Sequence, residues 1–357
     1  MRNILVLLAC CAFNGVATAA DLEWIRVSDG GKSFIQQPSG KQFNPWGVNY
    51  DHDRRGRLLE DYWIDEWADV VEDFQEIKDL GANVVRIHLQ FGKFMNSPAK
   101  PNERSLDQLD KLVQLASETG LYLDLTGLAC YHKRDVPQWY DALDEQSRWD
   151  AQTRFWKAVA QRCADNPAVF FYDLMNEPTV PDDQKQTEWL AAQFFGKYYV
   201  QRIALDSQGR PKHKVAKAWI DQLVRGIREH DTKHLITVGM LDDLNSGFVP
   251  EKVGENLDFI AVHIYPHSNA LNDDLKLLND FRIGKPLVIE EIYPLRCGVE
   301  EATAFIDASK QYVNGWISFY WGETAEELRA SDRPDRQKQL HWLQQFEAKG
   351  KTITVMN

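Results

Sequence analysis

The sequence predicts α/β architecture in its closed form, a single (β/α)8 TIM barrel of eight parallel strands, each followed by a helix. Short, nearly uninterrupted apolar runs alternate with amphipathic stretches along the chain, the pattern of a parallel sheet covered on both faces. Eight such runs can be read, which favours closure over an open, doubly wound sheet. No Gly-x-Gly-x-x-Gly follows the first run, so the dinucleotide-binding form of the open sheet lacks its phosphate turn. Neither an internal repeat nor a Gly-, Ser- or Pro-rich linker divides the 357 residues.

Arg2 gives the N-terminus a positive start, Ile4 to Phe13 is apolar, and Ala17-Thr18-Ala19 fits a small-x-small cleavage site. Residues 1–20 therefore read as a signal peptide and residues 21–357 as one folded domain, secreted or periplasmic. The apolar run is too short for an ordinary membrane span. A lipoprotein reading of Leu7-Leu8-Ala9-Cys10 leaves too little apolar chain before the cysteine. Cleavage leaves Cys130, Cys163 and Cys297, enough for at most one bridge and without the close spacing of a thiolate metal site.

Residues 22–42 are expected to form a hairpin plugging the barrel bottom. The first strand is read at Phe43–Tyr50. The first helix is read at Asp61–Leu80, where Trp63, Trp67, Val70, Phe74 and Ile77 recur at helical spacing before Gly81. Val84–His88 is the second strand, followed by a helix at Ser105–Thr119 with Ser105 and Gln108 as a capping box and Gly120 as its stop. Further strands are read at Tyr122–Thr126, Val169–Leu174, Leu235–Val238, Phe259–Ile264, Leu287–Ile289 and Ile317–Tyr320. Further helices are read around Arg154–Ala164, Val215–Arg228, Asp273–Asp280, Glu300–Val313 and Arg336–Ala348. A long loop follows strand four. Its aromatic residues Trp189, Phe194, Phe195, Tyr198 and Tyr199 suggest a helical stretch that walls a cleft or packs as a satellite core, and an Asp206-Ser207-Gln208-Gly209 turn follows.

In such barrels chemistry gathers at the C-terminal ends of the strands. Strand four ends in Asn176-Glu177-Pro178 and strand seven in Glu290-Glu291, so carboxylates from facing strands can converge. Two carboxylates are what glycosidic hydrolysis requires, because charge develops on the leaving oxygen and on an oxocarbenium-like ring. Neighbouring strand residues face opposite ways, so only one of Glu290 and Glu291 is expected to face the axis. The net charge of −12 disfavours nucleic acid as a partner. The 12 Trp fit either core packing or sugar stacking.

Asn176-Glu177-Pro178 and Lys285-Pro286-Leu287-Val288-Ile289-Glu290-Glu291 resemble glycoside hydrolase family 5 of clan A, the cellulase- and mannanase-like enzymes. Arg86 in Asn83-Val84-Val85-Arg86-Ile87, His263 and Tyr265 in Val262-His263-Ile264-Tyr265-Pro266, and Trp321 complete the match. The resemblance implies retaining hydrolysis of a β-linked glycan, of β-mannan or β-glucan type, by a monomer without a cofactor or metal. It implies Glu177 as acid/base and Glu291 as nucleophile. Arg86 would hold Glu291 ionised, Asn176 would bind the sugar 2-hydroxyl, and Tyr265 would donate to the nucleophile. His263 would contact the acid/base side or the substrate, and Trp321 would stack under the sugar. Two positions depart from the family. Glu290 stands where a small residue is usual and is expected to point away as a structural ion-pair residue. Thr126 stands where His is frequent, and His132 is expected to approach from the loop instead.

Other readings of the residues remain open at this point. Arg86 fits a buried ion pair, Tyr265 and Trp321 fit core packing, and His263 with His267 invites a metal pair that Pro266 between them disfavours. A transglycosylase would use the same residues, whereas a non-catalytic sugar-binding barrel would not need both carboxylates.

Overall fold

A computed structural model describes residues 22–354 apart from 183 and 195. The expected signal peptide, Asp21 and Phe195 lie outside the described residues. The barrel is closed and its strands pair in chain order: β1 Trp46–Tyr50, β2 Val84–Gln90, β3 Tyr122–Ala129, β4 Val169–Asn176, β5 Leu235–Met240, β6 Ile260–His263, β7 Leu287–Ile292 and β8 Gly315–Ser318, which returns to β1. Every residue of β2, β3 and β4 is buried, as expected of strands enclosed by side chains within and helices without. The longer helices are α1 Trp67–Asp79, α2 Glu103–Thr119, α3 Glu145–Cys163, α4 Lys212–Arg228, α5 Leu271–Asp280, α6 Val299–Ser309 and α7 Pro334–Ile353. A four-residue helix, Pro250–Val253, is the α-helical turn between β5 and β6.

The expected plug is present. Trp24–Val27 and Phe34–Gln37 pair antiparallel, and fully buried Phe34 meets Phe170 and Phe259 edge-on, each at 5.2 Å between ring centres. Phe43 adds edge contacts to Tyr122 and Phe170. Rings brought together in this way contribute beyond the area they bury.

Four local expectations are corrected. Helix α1 starts at Trp67 rather than Asp61, because Asp61 accepts the Leu58 N–H and binds Lys93 Nζ, closing a separate 3-10 turn. Helix α2 starts at Glu103, and its capping box does not form: Ser105 Oγ donates to the Lys93 carbonyl. The loop after β4 contains no helix among its described residues. It runs out and back as extended chain, with Pro178–Thr179 pairing parallel to Gln201–Arg202. Cys130, Cys163 and Cys297 are buried free thiols. No helix of the described residues is long and apolar enough to cross a membrane.

Candidate active site

Arg86 is the hub of the upper barrel. Its position on β2 sets it beside Asn49 of β1 and Asp124 of β3. It is wholly buried and uses all five of its N–H groups: Nε donates to Thr126 Oγ1 (2.8 Å), Nη1 to Glu291 Oε1 (2.6 Å) and Asn49 Oδ1 (2.9 Å), and Nη2 to Asp173 Oδ2 (2.8 Å) and Asn176 Oδ1 (2.9 Å). Burial opposes its charge, but Glu290, Glu291, Asp173 and Asp124 outweigh that and hold the guanidinium protonated.

Glu177 ends β4 in the left-handed region, at φ 46°. This strained conformation is held by a 2.9 Å bond from its N–H to the Gly239 carbonyl of β5. Its carboxylate meets that of Glu291 and the His263 ring, with one polar atom from each lying within 4.8 Å of the others. His263 Nδ1 is 3.0 Å from Glu177 Oε1 and 3.5 Å from Glu291 Oε2, and its Nε2 is 3.2 Å from Glu290 Oε2. Burial opposes a charge on the ring, yet Glu291, Glu177 and Glu290 together push His263 up to about 10. That rise favours the imidazolium, whose two N–H groups would face Glu177 and Glu290.

The Tyr265 hydroxyl donates to Glu291 Oε2, so both oxygens of Glu291 are engaged. Burial pushes the Glu291 carboxyl upward, Glu177 adds to the rise, and His263 and Arg86 pull it down. The expected depression by Arg86 is therefore present, but burial exceeds it.

Glu290 does not point away, and that expectation is corrected. Val262 pairs with Ile289 and the next residue, His263, pairs with Glu291, so Glu290 is an extra residue in a β-bulge. A bulge suspends strict alternation and lets consecutive side chains turn to one side. The Glu290 carboxylate lies inside the barrel with Asp124 and Asp173, one oxygen of each within 4.8 Å of the others, and 3.6 Å from Arg86 Nη2. Burial and Glu290 raise the Asp124 carboxyl well above its usual range. Burial also acts on Glu290, but Arg86 and His263 hold it low. Asp124 Oδ2 also lies 3.4 Å from Arg86 Nε, so the same guanidinium reaches both carboxylates.

The sequence model of the cellulase family, glycosyl hydrolase family 5, matches residues 37–356. The chain belongs to this family. It is 26% identical over 137 residues to mannan endo-1,4-beta-mannosidase 5 of Arabidopsis thaliana, a match covering 32% of this chain and 26% of that enzyme. An exo-beta-1,4-mannosidase from Opitutaceae bacterium strain TAV5 superposes with a TM-score of 0.68 at 16% identity, over 92% of this chain and 62% of that one. The endo-1,4-beta-mannanase of Rhizomucor miehei does so with a TM-score of 0.62 at 18% identity, over 91% and 99%. The chain thus spans about a quarter of the length of the Arabidopsis relative.

The remaining residues singled out by the family 5 resemblance divide. Arg86, Asn176, His263 and Tyr265 join the carboxylate pair. Asn176 accepts from Arg86 and gives one N–H to the Tyr199 carbonyl (3.1 Å). Trp321 is corrected: it is 3% exposed, packed edge-on against Tyr50 at 5.6 Å, and shows almost no face to a ligand. The half-buried Phe319, two residues earlier, lies between Tyr265 and Tyr199, with ring centres 6.2 and 6.1 Å away. His132 makes no hydrogen bond or ion pair with either carboxylate among the described residues. It stands in electrostatic reach of Lys197 and Asp61 instead, its Nε2 without a partner. His267 turns to Asp274, so no pair forms with His263. Sequence reasoning missed Asn49, Asp124 and Asp173. Charged and amide side chains inside otherwise apolar strands were the signal available for all three.

Proposed function

We propose that the protein hydrolyses β-glycosidic bonds with retention, Glu291 serving as nucleophile and Glu177 as acid/base. The convergence of the two carboxylates, one oxygen of each within 4.8 Å, carries this reading; retaining enzymes hold theirs about 5–5.5 Å apart. Glu291, fixed by Arg86 and Tyr265, bonds to the anomeric carbon while Glu177 gives its proton to the glycosidic oxygen, and the aglycone leaves as an alcohol. Glu177, now ionised, takes a proton from water. The water oxygen then displaces Glu291, and the sugar is released with its original anomeric configuration. The imidazolium of His263 bridges acid and nucleophile and stabilises the charge left on Glu177.

The curated relatives named as mannan endo-1,4-β-mannosidases support β-mannan as the substrate class, with β-glucan second. The N-terminal charge, apolar run and Ala17-Thr18-Ala19 site support export to the periplasm or medium.

Rescue by azide tests the roles. With an activated aryl β-glycoside, Glu177→Ala should still form the glycosyl-enzyme and regain turnover with azide, giving a β-glycosyl azide. Glu291→Ala should give only the α-azide. The reverse pairing of products contradicts the assignment.

A further inference from the structure

The loop after β4 does not stay beside its own strand. Gln201 Nε2 reaches the Leu128 carbonyl of β3 at 3.0 Å, and the Tyr198 N–H reaches the Tyr131 carbonyl just past β3 at 3.0 Å. The Tyr199 hydroxyl goes further, donating to Asp51 Oδ2 just past β1 at 3.2 Å, while its ring packs on Tyr131 (4.9 Å) and Phe319 after β8. The loop therefore roofs the rims of β3, β1 and β8.

This roof lies on the nucleophile's side. Tyr199 packs on Phe319 (6.1 Å between ring centres), Phe319 on Tyr265 (6.2 Å), and the Tyr265 hydroxyl donates to Glu291. In double displacement the sugar held by the nucleophile is the glycone, and the aglycone departs past the acid. The roofed end is thus the glycone end.

Polar groups without partners gather under the roof. Lys197 is 5% exposed, and its ammonium has no hydrogen-bond or ion-pair partner among the described residues. It lies in electrostatic reach of Asp51 and Asp53. Asp51 is 2% exposed; its Oδ2 meets His52 and Tyr199, and its Oδ1 has no partner. The unpartnered ammonium of a largely buried lysine and a buried carboxylate oxygen without a partner are suited to the neighbouring hydroxyls of a sugar.

We propose that this roof turns the glycone side into a closed pocket for one terminal sugar, with Lys197 and Asp51 holding its outer hydroxyls, so that the enzyme acts exo from the non-reducing end. A β-1,4 chain continues through the 4-hydroxyl, opposite the anomeric carbon, and a wall there leaves no place for a further unit. This rests on the hydrolase reading above.

Two β-1,4-linked pentaoses, of mannose and of glucose, together with copies O-methylated at the non-reducing 4-hydroxyl, test it alongside the matching aryl β-glycosides. The expected first product is the monosaccharide alone, and methylation should slow cleavage by about 100-fold or more. Lys197→Met, checked for folding by circular dichroism, should lower kcat/KM on the aryl glycoside by about 10- to 100-fold, chiefly through KM. Internal cleavage of a methylated pentaose, with the aryl glycoside also turned over, overturns the exo inference alone. A folded Lys197→Met variant with unchanged KM overturns the role of Lys197. Failure to turn over any β-glycoside overturns the hydrolase reading and this inference together.

Discussion

The two halves of the barrel interior are filled by the same eight strands in opposite ways. Below, Phe34, Phe43, Phe170, Phe171 and Phe259 make an apolar layer with the hairpin as its floor. Above, Arg86, Asp124, Asp173, Glu290, Glu291 and His263 are buried to a similar degree, yet every one is ionisable. The lower layer needs only shape and volume. The upper layer is tolerable only because each charge has a partner and each hydrogen bond is placed. Stability and function are thus concentrated at different heights along the same strands.

The comparison is sharpened most by Phe170→Ala. Removing this ring from the lower layer should cost about 3–5 kcal/mol of stability, while kcat of the remaining folded enzyme stays unchanged. Denaturant unfolding beside initial-rate kinetics reads both. A parallel fall in kcat would mean that the halves are not independent.

Glu290→Gln is the counterpart in the upper layer. It keeps the shape but removes one of the charges that hold His263 protonated. We expect kcat/KM to fall by about 10- to 100-fold and the His263 titration, followed by NMR, to move down. An unmoved titration would break the link drawn between the bulge and the imidazolium.

The smallest effect concerns pH. Burial raises the Glu291 carboxyl, so the acid limb of kcat/KM should lie above the ordinary glutamate value of about 4.3. His263 is raised to about 10 in the fold. Its contribution to stability is therefore complete below the unfolded value of about 6.5 and is lost as pH rises towards about 10. Urea midpoints measured across that range should decline, and a contribution that grows with pH would contradict a charged ring.

The barrel was legible because buried parallel strands spell themselves as apolar runs, and the carboxylates were legible because charge at the end of such a run is conspicuous. The facing of Glu290 was not, since period-two alternation assumes regular pairing and the bulge after Ile289 is set by the neighbouring strands. Trp321 was a similar case: type and approximate position pointed to the site, but its ring is packed away against Tyr50, while Phe319 is the ring that neighbours Tyr265. The roof was legible only in part: Tyr199 stood out among the loop aromatics as a possible cleft wall, but Lys197 carries no sequence signal of its own. Only the path of the loop brings them over β1 and β8.

Gly239 has a consequence for how this site can change over generations. A Cβ there would fall 2.8 Å from Glu290 Oε2, 2.9 Å from His263 Nε2 and 3.0 Å from Asp173 Oδ2. The absent side chain is space that Glu290, His263 and Asp173 share, so position 239 is coupled to all three. A lineage can acquire a larger residue at 239 only after room has been made at 290, 263 and 173 alike. The order of substitutions, as much as their identity, is written into the barrel.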